Sequence, residues 1–441
     1  MQQTASSTSP RDLARTFVLC AIAAAVLALS GCSDGNNVIG FDPNKDDDGE
    51  LIEQGKQIFR YDTFGDEVFW TDVLKMNEVI ESAVSPGVAA SVGIKVDVDA
   101  LPAEVVAGIA DGSIDLNSPQ TTLALLKLDA VVGLQGEVVD NPDGSMSLKR
   151  VGITCALCHS TVSKDVEVRS ANDDLVLPAG IAGHRLDGWP NRDFNPGAVI
   201  ALSPAITDQV TRDYFNSWGP GKFDPRHNVD GIEDYPVVIP PAFGLKSLDK
   251  AIFTGDGDRN FEPIGPVAYW NRYVAVVEMG GKGIFSDPRL PLDVDRRSEG
   301  GVLENRVDAL TLIALQAYQY SIAAPTPPQG SFDAAAALRG KAVFEGQGLC
   351  STCHSGPNFT DANLLLHPVS DSAAARTSYA ARSATKQWRT SPLRGVWQHP
   401  PYFHDGSAAT LDDVVAMYDS KSNLGLTTEQ SKDLVEYLKS L

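Results

Sequence analysis

The sequence predicts a mainly α-helical chain of two units, the first carrying long irregular loops and a small β-hairpin. Three observations predict it. Two pentapeptides of the form C-x-x-C-H, Cys155-Ala156-Leu157-Cys158-His159 and Cys350-Ser351-Thr352-Cys353-His354, stand far apart in the chain. Apolar residues recur at helical spacing on both sides of the second pentapeptide. Between the pentapeptides, Ala171 to Pro291 is rich in Gly, Pro and Asp with only short periodic pieces, which predicts loops.

Each pentapeptide has the form of a c-type haem attachment site. Two thiols three positions apart on a short helical turn can each add to one vinyl group of a porphyrin, and the adjacent histidine then lies under the iron. A structural zinc site would need four closed ligands, and a thioredoxin-like redox pair has no use for the histidine. The expected cofactors are therefore two covalently bound haem c groups. Cys155, Cys158, Cys350 and Cys353 would attach them, with His159 and His354 as iron ligands.

Length and charge narrow the class. A chain of 441 residues carries two to three domains by the length prior. With 57 acidic against 36 basic residues the net charge is −21, which argues against nucleic acid and anionic membrane surfaces and favours basic redox partners.

Taken in order, residues 1–31 read as a lipoprotein signal peptide. Arg11 and Arg15 precede an apolar run from Phe17 to Leu29 that is short for a bilayer span, followed by Leu29-Ser30-Gly31-Cys32. The small pair before a cysteine resembles a bacterial lipobox, with Cys32 as the lipid anchor and the membrane reached by that anchor only. Ser33 favours the outer membrane by resemblance to enterobacterial sorting rules, so the expected location is periplasm-facing. Cys20 leaves with the signal peptide, Cys32 takes the lipid and four thiols take two haems, leaving none for a disulfide.

Residues 32–50, ending Asp46-Asp47-Asp48-Gly49-Glu50, read as a solvated tether rather than a calcium loop. A first haem domain is expected over 51–325. It would begin with a helix from Leu51 through Ile58 and a second through about Ser82, with Phe64, Phe69 and Trp70 facing a core. A further helix is predicted over 120–135. Val138 to Thr154 predicts the hairpin, turned by Asn141-Pro142-Asp143-Gly144 and leading into the first pentapeptide. Gly301 to Ile322 predicts a helix with Val302, Leu303, Val307, Leu310, Ile313 and Leu315 as its apolar stripe, stopped by Pro325-Thr326-Pro327-Pro328. A C-terminal cytochrome c domain is expected over 330–441. One helix (Phe332 to Glu345) would enter the second pentapeptide, and Thr427-Thr428-Glu429-Gln430 would cap a last helix with Leu434, Val435, Leu438 and Leu441 on one face.

Arg389-Thr390-Ser391-Pro392-Leu393-Arg394-Gly395-Val396-Trp397, then Pro401-Tyr402-Phe403-His404-Asp405-Gly406-Ser407 and Thr410-Leu411, resemble the C-terminal domain of bacterial di-haem cytochrome c peroxidases and their relatives. Those relatives include the methylamine-utilisation di-haem enzyme and the di-haem rubber oxygenases. The resemblance is dense over about 330–441 and thinner before it. His159 and His354 stand 195 positions apart (354 − 159), more similar to the rubber-oxygenase branch than to a plain peroxidase. Phe59-Arg60-Tyr61-Asp62-Thr63-Phe64-Gly65 and Gly152-Ile153-Thr154-Cys155 resemble that branch too. By that resemblance Trp270 would stand between the haems and Phe285 over the open iron. The chain is shorter than a full rubber oxygenase, so the polymer substrate does not carry over.

A haem with two protein ligands carries electrons, whereas one with an open sixth position can bind peroxide or dioxygen. For the second haem the sixth-ligand candidates are Met417 and Tyr418, which point about 100° apart on a helix, so only one can ligate. Tyr418 falls where the resemblance places an axial methionine or tyrosine. For the first haem His184, in Gly183-His184-Arg185-Leu186-Asp187-Gly188-Trp189, resembles the displaceable loop histidine of the peroxidases; the competing reading is a surface or hydrogen-bonding group. His227, His367 and His399 have no positional support, and His404 reads as a propionate or outer-shell partner. Glu262 and Glu278 flank Trp270 as acid–base candidates, with nothing to separate them.

The resulting expectation is a redox enzyme of peroxidase or oxygenase type, its second haem relaying electrons to a reactive first haem. Its partners would be a small redox protein or a quinol-linked donor or acceptor, with peroxide, dioxygen or a small organic molecule as substrate. The rival from another class is a pure electron carrier with both irons six-coordinate. A weaker third is a structural subunit docking to another periplasmic enzyme.

Overall fold

Helices dominate, and the strands are confined to small two-stranded pairs. The structure, a computed structural model, describes residues 49–170, 172, 175–227, 235–257, 259, 261–369 and 379–441. All belong to one compact unit, Pro43–Leu441. The leader, Cys32 and the tether before Gly49 lie outside the described residues. No helix among those described is long and apolar enough to cross a membrane.

The first half is built on α1 (Gly49–Tyr61), α2 (Met76–Ala83), α3 (Pro119–Lys127) and the hairpin of β1 (Leu134–Asp140) with β2 (Met146–Ile153). α3 starts where Ser118 caps it and Pro119 supplies a preset φ. It stops at Lys127, short of the expected 135. Asp129 and Gly133 take left-handed backbone and Val131 bridges to Val96, so the chain turns and enters β1 instead. The hairpin forms as expected, its turn closed by the Asn141 amide on the Ser145 carbonyl. β2 runs straight into α4 (Ala156–His159), the first attachment turn.

Between the attachment turns most of the chain is irregular, as its composition predicts. The sequence reading missed the helix α5 (Pro266–Tyr273), which continues as a wider turn through Glu278. The pair β3 (Ile284–Asp287) with β4 (Leu292–Asp295) follows. α6 (Ala309–Ser321) is shorter than the expected 301–322: Gly300 and Gly301 are left-handed and Asp308 caps the helix. Val302, Leu303 and Leu310 are exposed as a result, while Val307, Leu312 and Leu315 are buried. α6 packs along α1 and against α5, closing a core that holds Phe59, Phe64, Trp270, Tyr273, Phe285 and Leu315. A second cluster joins Trp70, Leu123, Leu126, Leu148 and Leu157 beneath the hairpin. Each such side chain, fully buried, contributes roughly 1.5–3 kcal/mol.

The last stretch packs α7 (Ala334–Glu345) against α9 (Thr428–Lys439), with α8 (Leu411–Ser422) on α9. Its cluster draws only on residues from Val343 onward, including Leu434, Val435, Leu438 and Leu441. Thr427 and Gln430 cap α9 reciprocally, as the sequence predicts. α7 and α9 meet most closely at Gly340, where a Cβ would stand 1.9 Å from the Asp433 carbonyl oxygen.

Candidate haem sites

The first attachment turn is clamped from both ends. Before it, the Thr154 amide donates to the Gly133 carbonyl at 2.9 Å and the Thr154 hydroxyl to the Arg60 carbonyl at 3.1 Å. Gly133 sits at φ 80°, and a Cβ there would lie 2.2 Å from the Leu157 backbone, so the turn needs that glycine. After it, the Gly188 and Asn191 amides donate to the His159 and Cys158 carbonyls, both at 2.8 Å. Cys155 packs against the core of Trp270 and Phe285, and Cys158 against the cluster beneath the hairpin.

His159 Nδ1 lies 3.0 Å from the Pro240 carbonyl oxygen. A carbonyl only accepts, so Nδ1 holds the proton and Nε2 keeps its lone pair for a metal. His354 repeats the device, with Nδ1 3.0 Å from the Phe359 carbonyl oxygen. Burial lowers both imidazoles, His159 to about 4, so each stays neutral and able to ligate. Burial likewise pushes the Cys155 and Cys158 thiols up to about 12 and that of Cys350 to about 11. Two thiols beside an oriented neutral imidazole at each turn fit two covalently held haems.

The second attachment turn opens on a cavity of about 1200 Å³ lined by Cys350, Cys353, His354, Met417, Tyr418 and His404. Met417 and Tyr418 sit side by side on α8 and both line the cavity. The Tyr418 hydroxyl is raised first by burial and then by the Cys350 and Cys353 sulfurs, which sets it near both. The His404 ring centroid lies 4.2 Å from that of Trp388, the two rings tilted by 45°. Atoms of Cys353, Asp361 and His367 also lie within 4.8 Å of one another, close enough to hold a metal ion.

Near the first turn, Trp270 and Phe285 converge on one residue, Tyr273, each with a ring-centroid distance of 5.0 Å. The Arg226 guanidinium lies over both the Trp270 and Tyr273 rings and ion-pairs with Asp256. Trp270 Nε1 is buried with no hydrogen-bond partner among the described residues. The two glutamates flanking Trp270 now differ. Glu262 is tied to Arg272 at 2.7 Å, whereas Glu278 is buried 3.5 Å from His227 Nδ1. Burial holds Glu278 well above the ordinary carboxylate range, only partly offset by the Tyr273 hydroxyl and Arg226. His227, passed over in the sequence because nothing adjacent marks it, joins this group only through the fold.

His184 stands apart from these groups. Its ring is half exposed and Nδ1 lies 2.9 Å from Asp99 Oδ1.

No family profile matches the chain. Among curated proteins it is 30% identical over 151 residues to the cytochrome-c peroxidase IdrP1 of Denitromonas iodatirespirans, covering 24% of this chain and 40% of that protein. It is 30% identical over 122 residues to the methylamine utilization protein MauG of Methylorubrum extorquens (24% and 34%). It is also 30% identical over 115 residues to the cytochrome c551 peroxidase of Nitrosomonas europaea (24% and 33%). Over that stretch the chain is similar to di-haem cytochrome c peroxidases and to MauG. The match covers 40% or less of the length of each of these relatives. A solved MauG-like protein associated with microbial copper homeostasis aligns over 47% of this chain and 74% of its own, at 16% identity and a TM-score of 0.32, a likeness that carries no argument. The similarity to cytochrome c peroxidases and MauG fits covalently bound c-type haem.

Proposed function

We propose that this chain is a di-haem redox enzyme of peroxidase or oxygenase type. It would face the periplasm on a lipid anchor at Cys32, in the outer membrane. The observation that carries the enzymatic reading is the Glu278–His227 pair. Burial favours the protonated form of the Glu278 carboxyl, whose Oε2 lies 3.5 Å from His227 Nδ1, itself 2.9 Å from the Asp224 carbonyl oxygen; a buried carboxyl beside an imidazole is an arrangement that can pass a proton.

A c-type haem with an open position supplies peroxide or dioxygen binding, and one with two protein ligands supplies electron transfer. His159 and His354 would be the proximal ligands. Cys155 with Cys158, and Cys350 with Cys353, would be the attachment points. Met417 or Tyr418 would close the second site as a relay. His184, paired with Asp99, takes no ligand role in this reading. Trp270, buried and aromatic between Tyr269 and Tyr273, would offer an electron path, and Phe285 would keep water from the first site. Glu278, whose protonated form burial favours, would donate to an oxygen atom brought beside it and recover the proton from the Nδ1–H of His227. The acidic surface implied by a charge of −21 suits a basic electron donor.

Visible and paramagnetic-resonance spectra of the oxidised and half-reduced holoprotein test this. The expected result is one high-spin haem that binds cyanide and reacts with peroxide, and one low-spin haem. Two low-spin haems inert to both reagents would leave a pure electron carrier instead.

A further inference from the structure

The wall of the 1200 Å³ cavity reverses the charge of the chain. Against a net charge of −21, its charged lining residues are Arg192, Arg389, Arg394 and Lys421 with one carboxylate, Asp405. Arg394 and Lys421 are exposed, and water screens them. The other two cations are inside. Arg192 donates from Nη2 to the His399 carbonyl at 3.2 Å, and its Nε and Nη1 are buried with no partner among the described residues. Arg389 donates from Nη1 to the Lys250 carbonyl at 2.9 Å, and its Nε is buried with no partner among the described residues. Neither holds a carboxylate among the described residues. Burial lowers both only to about 10, so both carry charge at neutral pH. A buried guanidinium without a counter-ion is costly, and two in one cavity call for two anionic groups from a ligand. Haem brings two propionate carboxylates.

Arg192 has a second attachment. Its neighbour Asn191 donates its amide to the Cys158 carbonyl at 2.8 Å and its side chain to the Gly93 carbonyl at 2.9 Å. Arg192 is thus fixed to the first attachment turn while its guanidinium borders the cavity of the second.

We propose that Arg192 and Arg389 pair with the two propionates of the haem carried by Cys350 and Cys353, and that Arg192 couples the two haem sites electrostatically. This rests on the two-haem reading above. A guanidinium beside a propionate cancels negative charge near the iron. Losing it stabilises the oxidised state and lowers the potential of that haem.

The test is a potentiometric titration of the holoprotein, followed optically, for wild type, Arg192→Gln, Arg389→Gln and Arg192→Lys. The two glutamine variants are expected to lower the reduced-to-oxidised ratio of the low-spin haem about tenfold at fixed potential, a midpoint shift of about 59 mV for one electron. Arg192→Lys, which keeps the charge, should retain most of the wild-type midpoint. Covalent haem content is measured alongside. Fewer than two haems per wild-type chain sinks the two-haem reading itself. Two haems with unmoved midpoints in both glutamine variants sink only the propionate pairing. Inorganic phosphate added to wild type should leave the midpoint alone; a midpoint that follows phosphate means a free-anion site and overturns the proposal. Should the glutamine variants fail to fold, a crystal structure of the wild-type holoprotein decides directly, since guanidinium groups turned away from both propionates refute the pairing.

Discussion

His159 donates its Nδ1 proton to the Pro240 carbonyl oxygen across 3.0 Å, from a residue that follows it by 81 positions. The ring orientation at the first site therefore depends on a long loop being in place, whereas His354 finds its carbonyl at Phe359, five positions on. The two attachment turns should accept haem independently. Replacing Cys350 and Cys353 together by serine should leave one haem per chain with the absorption of the first site unchanged, and the Cys155/Cys158 pair should give the converse. Intact-mass measurement with visible spectra checks this, and loss of both haems from either double variant would contradict it.

Gly133→Ala should damage the first site selectively. The added methyl must take a left-handed backbone and stand 2.2 Å from the Leu157 backbone, a strain and clash that together should cost more than about 3 kcal/mol. Gly144→Ala, also left-handed but with open space around it, should cost about 1 kcal/mol. Denaturant midpoints of the two variants make the comparison, and equal losses would argue against the clash.

Glu278→Gln gives a signed pH effect. Burial raises the folded pKa of Glu278 above its unfolded value, so its contribution to stability is complete below the ordinary carboxylate range and is lost as pH rises through the folded pKa. Glutamine stays neutral throughout. The variant should therefore gain on wild type in thermal midpoint as pH rises from 4 to 8, and turnover with peroxide should fall at every pH. A difference in midpoint that does not change with pH would mean the carboxyl is not held protonated.

Met417 and Tyr418 should separate by spectroscopy. Replaced singly by leucine and phenylalanine, only one should disturb the low-spin signal of the second haem, because neighbours on a helix point about 100° apart. If both variants keep that signal intact, neither residue is the ligand.

Gly340→Ala should loosen the last stretch alone. Its methyl would meet the Asp433 carbonyl at 1.9 Å and force α7 off α9, at about 1–3 kcal/mol. Calorimetry of the holoprotein should show the loss with spectra of the first haem unchanged.

Much of the fold was legible because its signals are local. Thr427 with Gln430, the Asn141–Ser145 turn and the α9 stripe are each read within one or two turns of chain, and each stands as expected. The overruns came where a left-handed residue ended a periodic run. Asp129 stops α3 and Gly301 delays α6, and apolar periodicity is blind to either. The helix α5 was missed because Gly265-Pro266 looks like a breaker; Pro266 occupies the first turn, where its lacking N–H costs nothing.

By itself, then, the sequence determined the attachment chemistry. Two thiols and a histidine in five residues match a haem attachment motif that can be read locally, because the covalent reach lies within a single turn. It also named the residues that could complete those sites. Their neighbours came only from the tertiary structure. It set Glu278 against His227 and left Glu262 in an ion pair, placed His184 on Asp99, and carried Arg192 from the first attachment turn to the wall of the second cavity. The physical reason is that burial and charge pairing, which set a proton or a potential, are properties of neighbours in space. Here those neighbours are dozens to hundreds of residues apart along the chain.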